Sequence, residues 1–253
     1  MSTWVSNGQA VAWAWSRSPG RLDLQVDPVH LALLPEILGR YAESWGGSGC
    51  VITVMDAEVE LIDALSQWGY RRDDSGPYFA HLRRNLIDPL VVPPVPQGFT
   101  LRAVRTPDDA QARAAVHRAA FADYGGEHSL TTDVYKQVMA GHPYLADLDW
   151  IVEDTEGTVA AFCLCWVDVE NATAVLEPVG TDPRFRRRGL ARAAVAASLR
   201  AARERGARYA RVCARGDSAY TAAAATYEDI GFSRYARNIR LIDDGPRLAA
   251  GGA

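Results

Sequence analysis

The chain has 253 residues, 48% hydrophobic and 23% charged, with a formal net charge of −4. That length holds one large domain or two small ones, and the composition is that of a globular chain rather than a disordered or fibrous one. The acidic balance carries no global nucleic-acid signature, and no apolar run approaches the roughly 20 residues that span a bilayer.

Met1 to Ala14 is polar and interrupted by Gly8, so no signal peptide is read and a cytoplasmic protein is expected, with neither nucleic acid nor membrane as partner. The cysteines at 50, 163, 165 and 213 form no C-x-x-C and no zinc spacing, so no metal site is expected. Cys163 and Cys165 lie two apart on an expected strand, which turns both to one face as buried small hydrophobes or as a redox pair.

In chain order, Val11–Ser16 alternates as a strand and Leu22–Val26 as another, ending in Asp27-Pro28. Leu31–Trp45 is an amphipathic helix, Gly49–Met55 a strand, Val59–Trp68 a helix closed by Gly69-Tyr70, and Tyr78–Arg84 a strand. Asp88 to Gly98 carries four prolines and reads as an extended linker. Phe99–Val104 is a strand. Thr106 as N-cap and Pro107 at the first position start a helix to about Ala122. After the Tyr124-Gly125-Gly126 loop comes a helix over about Thr132 to Ala140. Asp149–Glu153 and Thr158–Val169 form a hairpin around Glu156-Gly157, and Ala172–Thr181 is the next strand. A helix over Leu190–Arg205, a strand at Tyr209–Ala214, a helix at Ser218–Ile230 and two strands within Phe232 to Ile242 complete the pattern.

The most informative stretch is Arg186-Arg187-Arg188-Gly189-Leu190-Ala191, a basic glycine turn between the strand ended by Asp182-Pro183 and a long alanine-rich helix. The first amides of a helix lack intrahelical partners, its dipole adds positive charge there, and Gly189 lets the backbone approach an anion closely. The same turn also reads as an ordinary solvated arginine run. Further on, Tyr227 to Phe232 closes a helix with Gly231 followed by an aromatic.

These two segments resemble the GNAT superfamily of acyl-CoA-dependent N-acetyltransferases. Arg186, Gly189 and Ala191 fall on the fixed positions of its Q/R-x-x-G-x-G/A loop, and Ala223, Tyr227, Gly231 and Phe232 on its A-x-x-x-Y-x-x-x-G-F motif. The resemblance covers roughly Phe99 to Leu241. It implies an α/β (α+β) fold, a mixed central sheet flanked by helices. The first half repeats part of the plan, since Leu22–Pro28 parallels Val179–Pro183 and Gly69-Tyr70 parallels Gly231-Phe232. That predicts two tandem copies, the first truncated and without a cofactor loop: residues 1–87 as the degenerate copy, 88–98 as linker, 99–243 as the catalytic domain and 244–253 as a flexible tail.

The resemblance implies acetyl-CoA as cofactor, held by Val179, Gly180 and Thr181 along the pantetheine arm and by the run Arg186, Arg187, Arg188, Gly189, Leu190, Ala191 and Arg192 at the pyrophosphate, mainly through amides. Tyr220 stands where the family often has an asparagine that supports the cofactor arm, which places that contact in doubt. Tyr227 is the candidate general acid for the departing thiolate. Glu177, in an otherwise apolar strand, is the candidate general base or an anchor for the substrate ammonium. Acids with aromatics suit a cationic amine, so Phe121, Tyr124, Glu127, His128, Trp166 and Asp168 are candidate walls of the acceptor pocket, with His128 a weaker candidate for the base. The expected activity is direct transfer of acetyl to the primary amine of a small molecule in a ternary complex. A protein or peptide amine acetyltransferase and a non-catalytic acyl-CoA sensor or scaffold are the alternatives. The chain is expected as a monomer or homodimer.

Overall fold

The structure, a computed structural model, describes residues 1–45, 49–124, 130–216 and 221–243. The described elements are β1 (Ser2–Ser6), β2 (Gln9–Ser18), β3 (Arg21–Val26), α1 (Leu34–Trp45), β4 (Cys50–Met55), α2 (Val59–Gln67), β5 (Arg71–Asp73), β6 (Phe79–Asn85), β7 (Phe99–Ala103), α3 (Ala110–Phe121), α4 (Thr132–Ala140), β8 (Asp149–Asp154), β9 (Val159–Asp168), β10 (Thr173–Thr181), α5 (Leu190–Glu204), β11 (Tyr209–Arg215), α6 (Thr221–Asp229) and β12 (Ser233–Asp243). They fall into two compact units. Among the described residues the first holds Met1–Ala80, Arg215, Gly216 and the chain from Tyr235; the second holds His81–Ala214 and α6 through Arg234.

In the first unit the sheet runs β1-β2-β3-β4-β12, with β5 on the other side of β12. β3 is parallel to β4 and the other pairs are antiparallel. Leu22, Leu24 and Val26 alternate inward from β3, Ile52 and Val54 from β4, and Ile239 and Leu241 from β12, against Leu34, Ile37, Leu61 and Leu65 of the two helices. β1 was missed in the sequence although Asn7-Gly8 is a hairpin signal: both residues have positive φ (51° and 80°), the requirement of a tight primed turn. The final strands are one, β12, rather than two. The units part at Ala80/His81, ahead of the proline-rich 88–98 stretch, because β6 continues along β11, with Leu86 N–H donating to Arg208 O. Residues 238–243 lie in the first unit because they pair with β4.

In the second unit the order is β6-β11-β10-β9-β8-β7. β10 and β11 are parallel, and β7 to β10 are antiparallel. β9 is buried on both faces, as a central strand covered twice must be. Phe162 packs with Val116 and Ala120 of α3, whereas Cys163 meets Ser198 of α5. Cys163 and Cys165 are free and buried. Burial pushes the Cys165 thiol up to about 12, so both sit as inert hydrophobes rather than a redox pair. Helix α3 starts at Ala110, not at Thr106. The Asp109 side chain makes no cap; it accepts from the Arg105 N–H at 2.6 Å and from Arg102 Nη1 at 2.6 Å instead. Burial alone would raise that carboxyl, but the bonds from Arg102 and Arg105 outweigh it and hold it well below the usual range. No described helix is long and apolar enough to cross a membrane.

Candidate active site

The end of β10 leads into the basic turn. Asp182 accepts from the Arg184 N–H at 2.9 Å and caps a short 3-10 turn, Pro183–Phe185. Arg187 and Gly189 then adopt left-handed φ of 67° and 77°. This winds the backbone into a concavity of amides of the kind that holds anions. A Cβ on Gly189 would meet nothing within 4 Å, so the space over the turn is open. No side chain caps α5, and the first intrahelical bond is Ala193 N–H to Gly189 O at 3.2 Å. The amides of Leu190, Ala191 and Arg192 are therefore left for an outside acceptor at the positive end of a 15-residue helix.

These groups line a cleft of ≈ 500 Å³, together with Val179, Gly180 and Thr181 of β10, Phe121 of α3 and Tyr227 of α6. A cleft that size fits a cofactor-class ligand. The residues fit coenzyme A: an amide concavity for the pyrophosphate, then an apolar strand edge for the arm. Arg186 does not point its guanidinium into free space. It bonds Asp123 Oδ2 at 2.9 Å, Ala120 O at 3.2 Å and Thr181 O at 3.4 Å, stapling α3 to β10 across the cleft wall. Arg188 stacks over Phe99 and Phe185, each at 5.8 Å. The turn's side chains thus shape the backbone, and its amides remain the anion donors.

β10 is bent where chemistry is expected. Its ladder with β11 covers Thr173–Val175 only, and its ladder with β9 skips from Leu176 to Val179. The bend falls at Glu177-Pro178, where proline cannot donate to a ladder. Backbone groups beyond it are free of β11. Trp166 of β9 donates its indole N–H to Glu177 O at 2.6 Å and fixes this corner. Solvent reaches Glu177, yet the surrounding protein desolvates its carboxyl and raises the pKa above the ordinary value. The field of Glu177 in turn adds to the burial that raises the Cys213 thiol, and Cys213 Sγ lies 3.4 Å from His81 Nδ1. Tyr227 is 6% exposed in the cleft wall, its ring edge-on to Phe232 at 5.9 Å.

Behind the cleft lies a buried ion pair that sequence reading missed. Arg113 Nε donates to Asp149 Oδ1 at 3.1 Å, both side chains 0% exposed. Tyr135 OH donates closely to Asp149 Oδ2, and Tyr144 OH donates to the same oxygen at 3.2 Å. The Arg113 guanidinium also sits 3.7 Å over the Phe162 ring. Tyr144 is edge-on to Trp166 at 6.4 Å, which links this pair to the corner at Glu177.

The structure thus brings Phe121, Val179–Thr181, Arg186–Arg192 and Tyr227 to one cleft and places Glu177 and Trp166 at the bend of β10. Asp168 is apart from them, its carboxylate bound by the Asn171 side-chain amide at 2.6 Å. The backbone of Tyr124 closes a 3-10 turn, Ala122–Tyr124. Glu127, His128 and Tyr220 lie outside the described residues. Among the described residues no group of three His, Cys, Asp or Glu could hold a metal ion.

Comparison with known proteins agrees with this geometry. Residues 114–232 match the model of the Acetyltransferase (GNAT) family. The chain is 32% identical over 161 residues to a mycothiol acetyltransferase of Thermobispora bispora, covering 61% of this chain and 53% of that protein. It is 32% identical over 175 residues to that of Salinispora arenicola, covering 68% and 55%. The chain therefore spans about half the length of these relatives. Its fold is similar to a GCN5-related N-acetyltransferase from Sphaerobacter thermophilus, with TM-score 0.69, 19% identity, and 94% of this chain and 78% of that one covered. It is also similar to a tandem GNAT protein from the clavulanic acid biosynthesis pathway, with TM-score 0.67, 17% identity, and 96% and 82% covered. Residues 114–232 thus match the GNAT acetyltransferase family model, and the fold of the chain is similar to those of these two solved GNAT proteins.

Proposed function

We propose that this chain transfers acetyl from acetyl-CoA to the primary amine of a small molecule, directly and without an acyl-enzyme. The observation that carries the reading is the uncapped start of α5 above Gly189, opening into a cleft that continues along the free end of β10 to Tyr227. Bound acetyl-CoA would supply the activated acyl group. The amides of Leu190, Ala191 and Arg192 bind and orient the pyrophosphate. Glu177 takes a proton from the acceptor ammonium, directly or through water, and Tyr227 holds a proton for the departing thiolate. The mycothiol acetyltransferase relatives support acetyl transfer to a small molecule.

Calorimetric titration of acetyl-CoA tests the cofactor site. One site is expected, and Gly189→Glu should abolish it. The new side chain would be strained at φ 77° and would set a carboxylate where the pyrophosphate binds. Undiminished binding by the variant would remove the turn from the site, and no binding by the native protein would favour a scaffold.

The raised Glu177 carboxyl sets the pH dependence. The base is the ionised form, so kcat/KM should climb with pH and reach half-maximum above the ordinary carboxylate range. Glu177→Gln should erase that limb and lower the plateau by about 10²-fold or more. A limb that persists in the variant would assign it to another group. The same shift means that the folded protein binds this proton more tightly than the unfolded chain does. The contribution of Glu177 to stability therefore declines as pH rises through the interval between the two values.

A further inference from the structure

Two features meet at Ala120, in the last turn of α3, where that helix approaches β10. From the basic turn, Arg186 Nη2 donates to Ala120 O at 3.2 Å, Nη1 to Asp123 Oδ2 at 2.9 Å and Nε to Thr181 O at 3.4 Å. A cation suits this place, because the carbonyls that end a helix carry the negative pole of its dipole. From within the sheet, Gly180 lies opposite Phe162 of β9. A Cβ on Gly180 would stand 2.6 Å from the Phe162 ring and 2.7 Å from Cβ of Ala120. The helix end therefore sits against a stretch of strand that has no side chain to hold it off. Ala120, Phe121, Asp123, Gly180 and Thr181 all line the cleft, so this joint is part of its wall.

The Arg186 fork is committed to that wall, since each of its three nitrogens donates to a protein oxygen. Its worth to folding is small. The Arg186 and Asp123 side chains are 41% and 55% exposed, and solvent screens ion pairs of that kind. A contact that adds little to stability can still decide where two walls stand.

We infer that Arg186 is a positioning residue: its side chain sets the spacing of α3 and β10 along the pantetheine arm, and the pyrophosphate is left to the amides of the turn. This deepens the acetyl-transfer reading and rests on its cofactor cleft. Walls already at their bound spacing lose less freedom when the ligand arrives, and that gain is confined to the part of the ligand lying between them.

Dephospho-coenzyme A and ADP test this, because they share adenosine and pyrophosphate and differ in the arm. Their calorimetric affinities are compared in the native protein, Arg186→Met, Arg186→Lys and Asp123→Ala, with coenzyme A as the check on the cleft itself. Arg186→Met should weaken dephospho-coenzyme A about tenfold and leave ADP within about twofold. Arg186→Lys should do the same, since it keeps the charge and loses the planar fork. Asp123→Ala leaves the turn intact, and it should weaken dephospho-coenzyme A in the same direction without weakening or tightening ADP. Urea midpoints of all three should stay near the native one, which separates the effect from loss of fold. Four outcomes would overturn the inference: ADP weakened as much as dephospho-coenzyme A in Arg186→Met, native affinity in Arg186→Lys, tighter ADP binding in Asp123→Ala as the freed arginine turns to the phosphates, or no change in any variant. All four leave the cofactor cleft standing. A native protein that binds neither coenzyme A nor ADP would overturn the cleft, and this inference with it.

Discussion

Tyr227→Phe is expected to lower turnover by about 10²-fold or more while leaving acetyl-CoA affinity unchanged. The substitution removes one oxygen. The ring stays, and with it the edge-on packing on Phe232 and the bond from Phe232 N–H to Tyr227 O at 3.0 Å that closes α6. A tyrosine that served only to pack its ring would tolerate the change. Single-turnover measurement, where chemistry limits the rate, separates the two cases. The loss should fall on that step and not on the calorimetric affinity, and an unchanged rate would remove Tyr227 from the mechanism.

Asp149→Ala is expected to destabilise the protein by about 3–5 kcal/mol in urea unfolding. The loss comes less from the missing bond than from what it leaves behind. Arg113 would be a fully buried cation without its counter-charge, and Nη1 and Nη2 of that guanidinium have no hydrogen-bond partner already. The hydroxyls of Tyr135 and Tyr144 would lose their acceptor at the same time. Replacing both ions with apolar groups, as in Arg113→Met/Asp149→Leu, should recover a large part of the stability, since paired burial of charge is costly in itself. A double variant as unstable as Asp149→Ala would refute the unpaired-charge explanation. The pair also joins α3 and α4 to β8 and, through Tyr144 and Trp166, to the bend in β10. Loss of the pair should thus impair the site as well as the fold.

The basic turn and α5 were legible because their signals are local: Asp182-Pro183, Gly189 and an uninterrupted helix with a continuous apolar face. Both are fixed by residues a few positions apart. The hairpin of β8 and β9 was legible for the same reason, with Gly157 at φ 80° in its turn. The start of α3 was misplaced because Thr106-Pro107 mimics a helix entry while Arg102 on β7 and Arg105 recruit Asp109. Arg113 and Asp149 are 36 residues apart and left no periodic trace, so the ion pair behind the cleft could not be read. Arg186 matched the motif, but the staple of its side chain to Asp123, 63 residues away, was not legible in the sequence.

The second half of β12 has a bearing on how the protein is made. Residues 238–243 pair with β4 and 240–242 with β5, while the residues through Arg234 belong to the other unit. A nascent chain that has left the ribosome only through Arg234 contains all described residues of the second unit. It still presents β4 with an unpaired edge, the kind of surface on which strands of separate molecules add. The unit translated first is therefore the unit finished last, and until those residues emerge the edge of β4 stays open.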